Sequence, residues 1–454
     1  MNNIATNLAA TTWKFTVPRA RILLIFSVLL YVAALILGHE RYLAVEHAFW
    51  GFNQPHYDLL TLFVTVVLAI VPASVMPLYF DRPSTLFINA LAFFVYIPGL
   101  VIAMLNRVDA LDAYFWLFFN FCLGLLICSL LVRSTGRSLV EEKVPSRFMI
   151  GFNLCGALFC FIVLFLTYRD ILTFSGLNEI YLQREKGAAT SLFIGYCQVY
   201  LAYFFSPVLF VSGVLYKRLF LALLGFSGFI FIYMITAERT VILLPFILLV
   251  VAMAFKIGGF GARNGYGLFL LGAVFVALVS MLFEQSQLVS QFGVYFFMRL
   301  IAIPGLFVSQ YYDLFSVQGY THWSHVSVIG NLFEVPRAYA GDEKWPALGK
   351  ILAERVLGIQ SQSNAGFVAT DGVAAFGSIG VLIICLLYSG WLLLLDHVSR
   401  GWSPLFLMTV LFPLAFITTN GSFFTILASF GGALWIVLLW VDKYRFRLIR
   451  EAGK

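Results

Sequence analysis

The sequence predicts an all-α integral membrane protein, built as a polytopic bundle of about twelve transmembrane helices. Of its 454 residues, 61% are hydrophobic and only 11% are charged, whereas about a quarter of the residues in an average soluble domain are charged. A soluble fold of this length has too little interior to bury so much apolar surface. Apolar stretches of about 20 residues, the length that crosses roughly 30 Å of hydrocarbon, also recur along the chain. A lipid bilayer is therefore the expected solvent for most of the protein.

Twelve stretches have the length and composition of a transmembrane helix. The first is not a short apolar region followed by a small-residue cleavage site, so we expect it to be retained as a span. The chain shows no internal repeat and no Pro- or Gly-rich linker, which predicts a single transmembrane domain over residues 1–454. The predicted spans begin near Arg21, Asp58, Ser84, Asp112, Phe148, Ser191, Leu219, Thr240, Tyr266, Asp371, Ser403 and Phe423.

The positions of the Lys and Arg residues predict the orientation of these helices. Basic residues in short loops mark the cytoplasmic side of a membrane protein. Most of the 29 basic residues in this chain fall on the side that holds the N-terminus. Both termini are therefore expected in the cytoplasm. The basic residues on that side are Lys14, Arg19, Arg21, Arg82, Arg133, Arg137, Lys143, Arg147, Lys217, Arg218, Lys256, Arg263, Arg400, Lys443, Arg445, Arg447, Arg450 and Lys454.

Three longer loops are predicted on the opposite face, at residues 38–56, 168–190 and 285–370. Since everything outside the membrane is of loop size, we expect any chemistry at this surface or just inside it. The six cysteines all fall in apolar stretches, which predicts small buried hydrophobic side chains rather than disulfides or a zinc cluster. No nucleotide-binding loop and no His-Glu-x-x-His motif occurs, so no cofactor, metal or nucleic acid is expected.

Two arginines lie where an ionisable side chain near apolar helix costs about 2.5–3.5 kcal/mol on insertion scales. Arg239 separates two apolar spans with almost no loop between them; it serves a ligand or, alternatively, pairs with Glu238 or snorkels to the interface. Arg299 lies in the apolar segment 294–304. We interpret this segment as a re-entrant or interfacial helix that presents Arg299 inward, with a snorkelling arginine as the alternative.

A third arginine, Arg184, stands with Lys186 just before the span that opens near Ser191. The positive end of that helix and these two side chains favour an anion, although an ordinary solvated charge cluster is the alternative. Three arginines on one face suit a diphosphate, because guanidinium remains charged and binds phosphate oxygens bidentately. We therefore predict a diphosphate site formed by Arg184, Arg239 and Arg299.

The longest loop adds further polar candidates. His322 and His325 can act as acid, base or hydrogen-bond donor near neutral pH, or they are ordinary surface histidines. Asp371 follows at the mouth of a span. A carboxylate there can accept a proton from a hydroxyl nucleophile or, alternatively, cap the N-terminus of the helix. Gly377 and Gly380 are interpreted as helix-packing positions.

These residues resemble those of a known family, the Wzy-type oligosaccharide repeat-unit polymerases, also called O-antigen polymerases. Arg184 followed by ten residues and Gly195 matches the Arg-x10-Gly pattern of the family's earlier loop. The stretch from Thr236 to Leu244, which contains Arg239, looks like the family's small-polar-Arg-Thr-apolar stretch between two spans. The segment from Asn364 to Gly380 looks like the closing part of the large loop.

The resemblance also extends to the overall organisation of the chain. In the family, two sizeable non-cytoplasmic loops each carry a functional arginine, which would be Arg184 in residues 168–190 and Arg299 in residues 285–370. The second Arg-x10-Gly motif is incomplete, because Gln310 stands where glycine is expected after Arg299. The resemblance implies a metal-independent glycosyltransferase of GT-C-like architecture in the bacterial inner membrane, with its active site facing the periplasm.

The same resemblance implies a reaction and its partners. A hydroxyl of one undecaprenyl-diphosphate-linked repeat would attack the anomeric carbon of the growing lipid-linked glycan, and lipid diphosphate would leave. The three arginines would stabilise the departing diphosphate, and grooves between helices would hold the polyprenyl tails in the membrane lipid. A separate chain-length regulator protein works with family members. Asp371 or His322 would act as base, and the substrate-binding residues would be Gly195, His325 and Asn364.

Two other functions stay open at this point. O-antigen ligases, which move finished glycan to the lipid A core, resemble the polymerases in topology and in their loop arginines. A lipid-linked oligosaccharide flippase or transporter would instead predict ionisable residues near the middle of spans and a duplicated set of helices. Most spans in this chain lack such charges.

Overall fold

The chain folds into long apolar helices joined mostly by short turns. The computed structural model describes residues 2–134, 143–174, 180–188, 190–257, 264–326, 330, 345–360 and 362–452. Within these ranges, eleven helices are long and apolar enough to cross a membrane, and two shorter apolar helices accompany them. The predicted all-α, multi-pass membrane fold is therefore confirmed. Of the basic residues used for orientation, Arg137, Arg263 and Lys454 lie outside the described residues.

The helices are labelled here in chain order, and the apolar part of the first belongs to a helix that begins at Asn2. They are α1 (Arg19–Glu46), α2 (Leu59–Ala73), α3 (Pro83–Leu105), α4 (Ala110–Arg133), α5 (Arg147–Tyr168), α6 (Ile180–Lys186), α7 (Leu192–Leu215), α8 (Leu219–Thr236), α9 (Arg239–Lys256), α10 (Gly265–Leu282), α11 (Gln287–Gln318), α12 (Leu348–Arg355), α13 (Val368–Val398), α14 (Pro404–Ile417), α15 (Phe423–Ala428) and α16 (Gly432–Ala452).

Local capping explains where several helices begin. The carboxylate of Asp58 accepts a hydrogen bond of 2.7 Å from the backbone N–H of Thr61, at the start of α2. The hydroxyl of Ser191 does the same for the N–H of Ile194, at 3.3 Å, at the start of α7. Side-chain oxygens at this position satisfy an N–H group that the helix leaves unpaired. The span starts predicted near Asp58 and Ser191 therefore coincide with helix caps.

One end of the bundle, which we call the basic end, holds the short basic turns at residues 74–82, 143–146, 216–218 and 399–403. Arg21 donates from Nη1 to the carbonyl oxygen of Ala73 at 3.0 Å. The N–H of Lys143 donates to the carbonyl of Gly401 at 2.9 Å. Asp442 of α16 accepts a hydrogen bond from Ser146. The first and last long helices therefore share this end.

The opposite end, which we call the loop end, holds residues 47–58, the turns 106–109 and 237–238, and the segments around α6 and α12. Both ends of α11 lie here. Near its start, the carbonyl of Ser290 accepts a bond of 3.2 Å from Tyr42, at the loop end of α1. Near its finish, Gln310 donates to the carbonyl of Trp50 at 2.8 Å, and Asp313 accepts from Tyr114.

Because α11 begins and ends at the loop end, it does not connect the two ends of the bundle. Twelve helical passes then remain in the described part of the chain, and two of them, α2 and α14, are only 15 and 14 residues long. The segment 285–370 also differs from the expected loop, since it opens with the 32-residue helix α11 and includes α12. The interfacial segment predicted at residues 294–304 is one part of α11.

Two glycines allow α11 to lie close against α3. A Cβ atom built on Gly305 would approach the backbone nitrogen of Gly99 to 2.3 Å, and one on Gly99 would approach the carbonyl oxygen of Gly305 to 3.0 Å. No larger side chain fits at this crossing. Small residues allow helix backbones to approach closely inside a membrane, where packing replaces the hydrophobic effect.

Five π-helical stretches interrupt the regular helices of the described chain. A π-helical turn includes an extra residue, so it re-aims the side chains that follow it, and such turns occur frequently at functional sites. Three of the five carry residues of the two clusters described below. The stretches are His39–Leu43, Ala92–Tyr96, Leu201–Phe205, Gly293–Ala302 and Val368–Val373.

The course of α11 predicts the accessibility of its two ends. Leu288 and Val317 are exposed, at 63% and 83% of their maximal surface. When each is replaced by cysteine, we expect a membrane-impermeant maleimide to label both from the same side of the membrane. Arg218→Cys, at the basic end, should be labelled only from the other side. If Leu288→Cys and Val317→Cys react from opposite sides, α11 crosses the membrane.

Candidate functional site

The turn between α8 and α9 brings a carboxyl group and a guanidinium group together at the loop end. Ala237 adopts a left-handed backbone conformation, with φ of 48°, and its N–H donates to the carbonyl of Tyr233 at 2.8 Å. The chain therefore reverses its direction between α8 and α9 within two residues. The half-buried Glu238 points back into the bundle, where its Oε1 accepts a hydrogen bond of 2.7 Å from Tyr203 of α7.

The short helix α6 docks against the end of α8, beside this turn. Gln183 donates from Nε2 to the carbonyl oxygens of Met234 at 2.8 Å and Ile171 at 3.0 Å. A Cβ atom on Gly187 would lie 1.9 Å from the carbonyl oxygen of Ile235, so only glycine permits this contact. The exposed Arg184 is thereby held near Glu238.

Charge and burial act in opposite directions on Glu238. Burial raises the pKa of the Glu238 carboxyl above its ordinary value, while the hydrogen bond from Tyr203 and the positive charge of Arg184 oppose the rise. Arg184 is thus the charged partner of this carboxyl group, and Arg239 is its neighbour in the chain. A raised carboxyl pKa beside specific charged partners is a feature that functional sites share.

Arg239 connects this turn to α11. Its Nη1 donates to the hydroxyl of Tyr295 at 3.2 Å. Its Nε is buried and has no hydrogen-bond partner among the described residues. A buried donor without an acceptor costs free energy comparable to a lost hydrogen bond. The Nε–H of Arg239 is therefore a donor without an acceptor among the described residues, which a further anionic oxygen would satisfy.

Arg299 lies one π-helical turn after Tyr295, within the stretch Gly293–Ala302. Residues four apart in such a helix lie on nearly the same face, so Arg299 shares the face whose tyrosine contacts Arg239. Its side chain is exposed, contrary to the expectation that α11 presents it inward. We call Arg184, Arg239 and Arg299, with Glu238, Tyr203 and Tyr295, the arginine cluster.

Asp371 is fully buried and joins α13 to α15. Its carboxylate accepts a hydrogen bond of 2.9 Å from the hydroxyl of Ser422 and another from the backbone N–H of Phe423. It therefore caps a helix, as one interpretation of the sequence had it, but the helix is α15 and not its own. This position gives the carboxylate no contact with solvent.

His325 lies beside Asp371. Its Nε2 is 3.5 Å from Oδ1 of Asp371, and its Nδ1 is 2.8 Å from the hydroxyl oxygen of Thr321. The side chain of His325 is 10% exposed. The hydroxyl of Thr321 therefore orients the ring, and Nε2 faces the carboxylate of Asp371 without a hydrogen bond among the described residues.

The helix α13 is interrupted next to the segment that holds His322 and His325. Phe376 and Gly377 leave helical geometry, and Gly377 has φ of 64°. A Cβ atom on Gly377 would lie 2.7 Å from the hydroxyl oxygen of Tyr320. The carbonyls freed near the break accept backbone hydrogen bonds from Thr321 at 2.8 Å and from His322. Irregular backbone is tolerated at membrane depth where protein satisfies it in this way.

His322 and Trp323 are both held in the left-handed region, with φ of 49° and 61°. Such conformations are uncommon for residues other than glycine and persist where surrounding contacts enforce them, often at functional sites. His322 is exposed and stacks on Phe376, with ring centroids 5.2 Å apart. The indole of Trp323 donates to the backbone carbonyl of Asp371 at 2.7 Å. We call Thr321, His322, Trp323, His325 and Asp371 the aspartate–histidine cluster.

The two clusters lie on either side of α15. The start of α15 contacts Asp371, whereas the carbonyl of Ala428 at its end accepts a bond of 2.6 Å from Tyr200. The ring of Phe430 lies 5.3 Å from that of Tyr203, the partner of Glu238. α15 is six residues long, which is roughly 9 Å at about 1.5 Å per residue.

Two predicted site residues lie apart from these contacts. Gly195 is in the first turn of α7, where its N–H donates to the carbonyl of Ser191 at 3.0 Å. Asn364 is exposed, and its Oδ1 accepts from Gln362 at 3.0 Å. Among the described residues, no three His, Cys, Asp or Glu side chains gather as a metal site would require.

Sequence reasoning missed the two tyrosines of the arginine cluster. Tyr203 and Tyr295 occur among 21 tyrosines, and nothing in their neighbourhood in sequence marks them. Both stand on π-helical stretches, which local sequence patterns did not reveal. Glu238 was visible only as a neighbour that could neutralise Arg239.

No family model, curated protein or solved structure matches this chain.

The burial of Asp371 predicts a stability effect. Asp371→Asn replaces an acceptor by an amide whose N–H₂ group faces the donors of Ser422 and Phe423. We expect the free energy of unfolding to fall by about 1–3 kcal/mol. The melting temperature in detergent, followed by tryptophan fluorescence, should decrease. Asp170→Asn, whose side chain is 89% exposed, is the matched control. Equal melting temperatures for the two variants would contradict this role.

Proposed function

We propose that this protein is a polymerase of lipid-diphosphate-linked oligosaccharide repeats, of the Wzy type that its motifs resemble. The observation that carries the proposal is the arginine cluster. The charge of Arg184 acts on the carboxyl group of Glu238, and Arg239 follows Glu238 directly in the chain. Arg299 stands on the helix face that Arg239 contacts, and the Nε of Arg239 has no acceptor among the described residues. The cluster lies at the end of the bundle that we expect to face the periplasm.

In this proposal, the arginines hold the diphosphate of the growing glycan and stabilise it as it leaves. The glycosidic carbon–oxygen bond to the diphosphate breaks, and negative charge accumulates on the leaving group. Guanidinium groups placed where charge develops stabilise the transition state more than the ground state. Bidentate hydrogen bonds also fix the orientation of the phosphates.

The aspartate–histidine cluster supplies the acceptor side. A hydroxyl of the incoming repeat forms the new bond to the anomeric carbon and loses its proton to a base. His322 is exposed and can contact a hydroxyl, whereas Asp371 is fully buried. We therefore assign the role of base to His322. In this proposal, Asp371 positions His325 and α15. Substrate contacts of His325, Asn364 and Gly195 stay predictions.

The lipid parts of both substrates fit a protein that is mostly membrane helix. Undecaprenyl tails would lie in grooves between apolar helices, in contact with membrane lipid. We place the protein in the bacterial inner membrane with both termini in the cytoplasm, on the evidence of its basic turns. A chain-length regulator protein would be its partner, as in the family that the motifs resemble.

A ligase that transfers finished glycan to the lipid A core is the second candidate, since the same arginine cluster would hold the same diphosphate. The two functions differ in what their loss produces. In a strain lacking this protein, lipopolysaccharide capped by a single repeat supports the polymerase, and lipopolysaccharide without any repeat supports the ligase. Neither cluster favours a flippase. Accumulation of unflipped lipid-linked repeats in that strain would indicate a flippase.

The arginine cluster gives a direct test of the diphosphate site. We expect Arg184→Ala, Arg239→Ala and Arg299→Ala each to slow glycan extension about 100- to 1,000-fold, because each removes a donor to the leaving diphosphate. Long-chain glycan should disappear from the ladder of each mutant while the protein level is unchanged.

Arg169→Ala is the matched control for these variants. Arg169 is exposed and stands 3.8 Å from Asp170, just after α5 and apart from the cluster. Its variant should give the chain-length ladder of the wild type. If the Arg184 and Arg239 variants also give that ladder, the arginines hold no diphosphate.

A further inference from the structure

Glu238 is a carboxyl group inside a site that we propose for an anion. It stands next to Arg239 in the chain, and the positive charge of Arg184 acts on it. Its position is fixed, because Tyr203 bonds its Oε1 at 2.7 Å and its backbone N–H donates to the hydroxyl of Thr236 at 3.3 Å. The carboxylate therefore takes up space that a bound diphosphate would also need. Its negative charge also offsets the positive charge that the diphosphate would need.

The groups that face Glu238 come from three elements. Tyr203 of α7 donates a hydrogen bond to the ionised carboxylate and so favours it. Arg184 of α6 also favours the ionised form, through its charge. Arg239 belongs to the same turn and is held by Tyr295 of α11. In the absence of ligand, Glu238 thus balances part of the positive charge of the cluster.

A diphosphate bound to the same arginines removes that balance. It brings negative charge within a few ångströms of a half-buried carboxylate, and like charges at such distances favour protonation of one of them. We propose that Glu238 competes with the diphosphate for the arginines and takes up a proton when the diphosphate binds. This inference rests on the proposed function and adds a proton-linked regulation to its site.

Two consequences follow from linkage between the proton and the ligand. Binding of diphosphate consumes protons, so its affinity falls as the pH rises through the range in which Glu238 ionises. Burial already raises the pKa of Glu238, which brings this range closer to neutral pH. When Glu238 loses its proton again, its negative charge again offsets the charge of the arginines and favours release of the lipid diphosphate.

The experiment uses the full-length protein in lipid nanodiscs and geranylgeranyl diphosphate as the probe. Calorimetric titrations between pH 5.5 and 8.5, in two buffers of different ionisation enthalpy, give the affinity and the protons taken up. The number of protons that the probe itself takes up is the same for every variant. The difference in proton uptake between wild type and Glu238→Gln therefore measures the uptake by Glu238. We expect this variant to bind about tenfold more tightly at the highest pH, equivalent to one pKa unit of coupling, and to take up fewer protons.

Glu185→Gln is the matched control, since it removes the same charge from an exposed position next to Arg184. It should titrate like the wild type. Equal proton uptake and equal pH dependence in wild type and Glu238→Gln would overturn the role of Glu238 while leaving the diphosphate site intact. Failure of the wild type to bind the probe at every pH would overturn the diphosphate site as well.

Tyr203→Phe tests the same inference if Glu238→Gln does not fold. Loss of the tyrosine hydroxyl removes a hydrogen bond to the ionised carboxylate, so the pKa of Glu238 should rise further. The range of proton uptake should move to higher pH in this variant. A range identical to that of the wild type would count against Glu238 as the group that takes up the proton.

Discussion

The buried carboxylate of Asp371 joins the segments on which the loop end of this protein depends. It caps α15 through Ser422 and Phe423, and it stands against the ring of His325. A carboxylate removed from water is tolerated only when hydrogen bonds replace its hydration. The backbone carbonyl of Asp371 also accepts a hydrogen bond from the indole N–H of Trp323. When the carboxylate of Asp371 has these hydrogen-bond partners, the position of residues 321–325 and the position of α15 are set together.

The course of α11 is the second constraint, because it brings residues from distant parts of the chain to one face. It starts and ends at the loop end and lies against α3 through Gly99 and Gly305. Its long π-helical stretch places Tyr295 and Arg299 on one face, toward the turn that carries Arg239. Residues four apart share a helix face, so the contact of Tyr295 with Arg239 also brings Arg299 to the side of α11 that faces this turn.

The sequence predicted the all-α membrane fold with about twelve helices, because this fold depends on composition and on the length of apolar stretches. It also singled out Arg184, Arg239 and Arg299, whose role at a diphosphate stays a prediction. It placed both Arg299 and Asp371 less accurately. Arg299 is exposed rather than inward, since the orientation of α11 depends on its contacts with α1, α3 and α4. Asp371 caps α15 rather than its own helix, since that contact joins residues about fifty positions apart in the chain.

Hydropathy and span length are local properties of consecutive residues, so the sequence alone indicates which segments lie in the membrane. It also indicates which ionisable side chains lie out of their usual environment. Which of these side chains meet depends on how the helices pack in three dimensions. Tyr203 reaches Glu238 from another helix, and Tyr295 reaches Arg239 across 56 positions. Such pairings depend on helix packing and on π-helical turns, which are set by contacts between distant segments and leave no periodic pattern in the sequence.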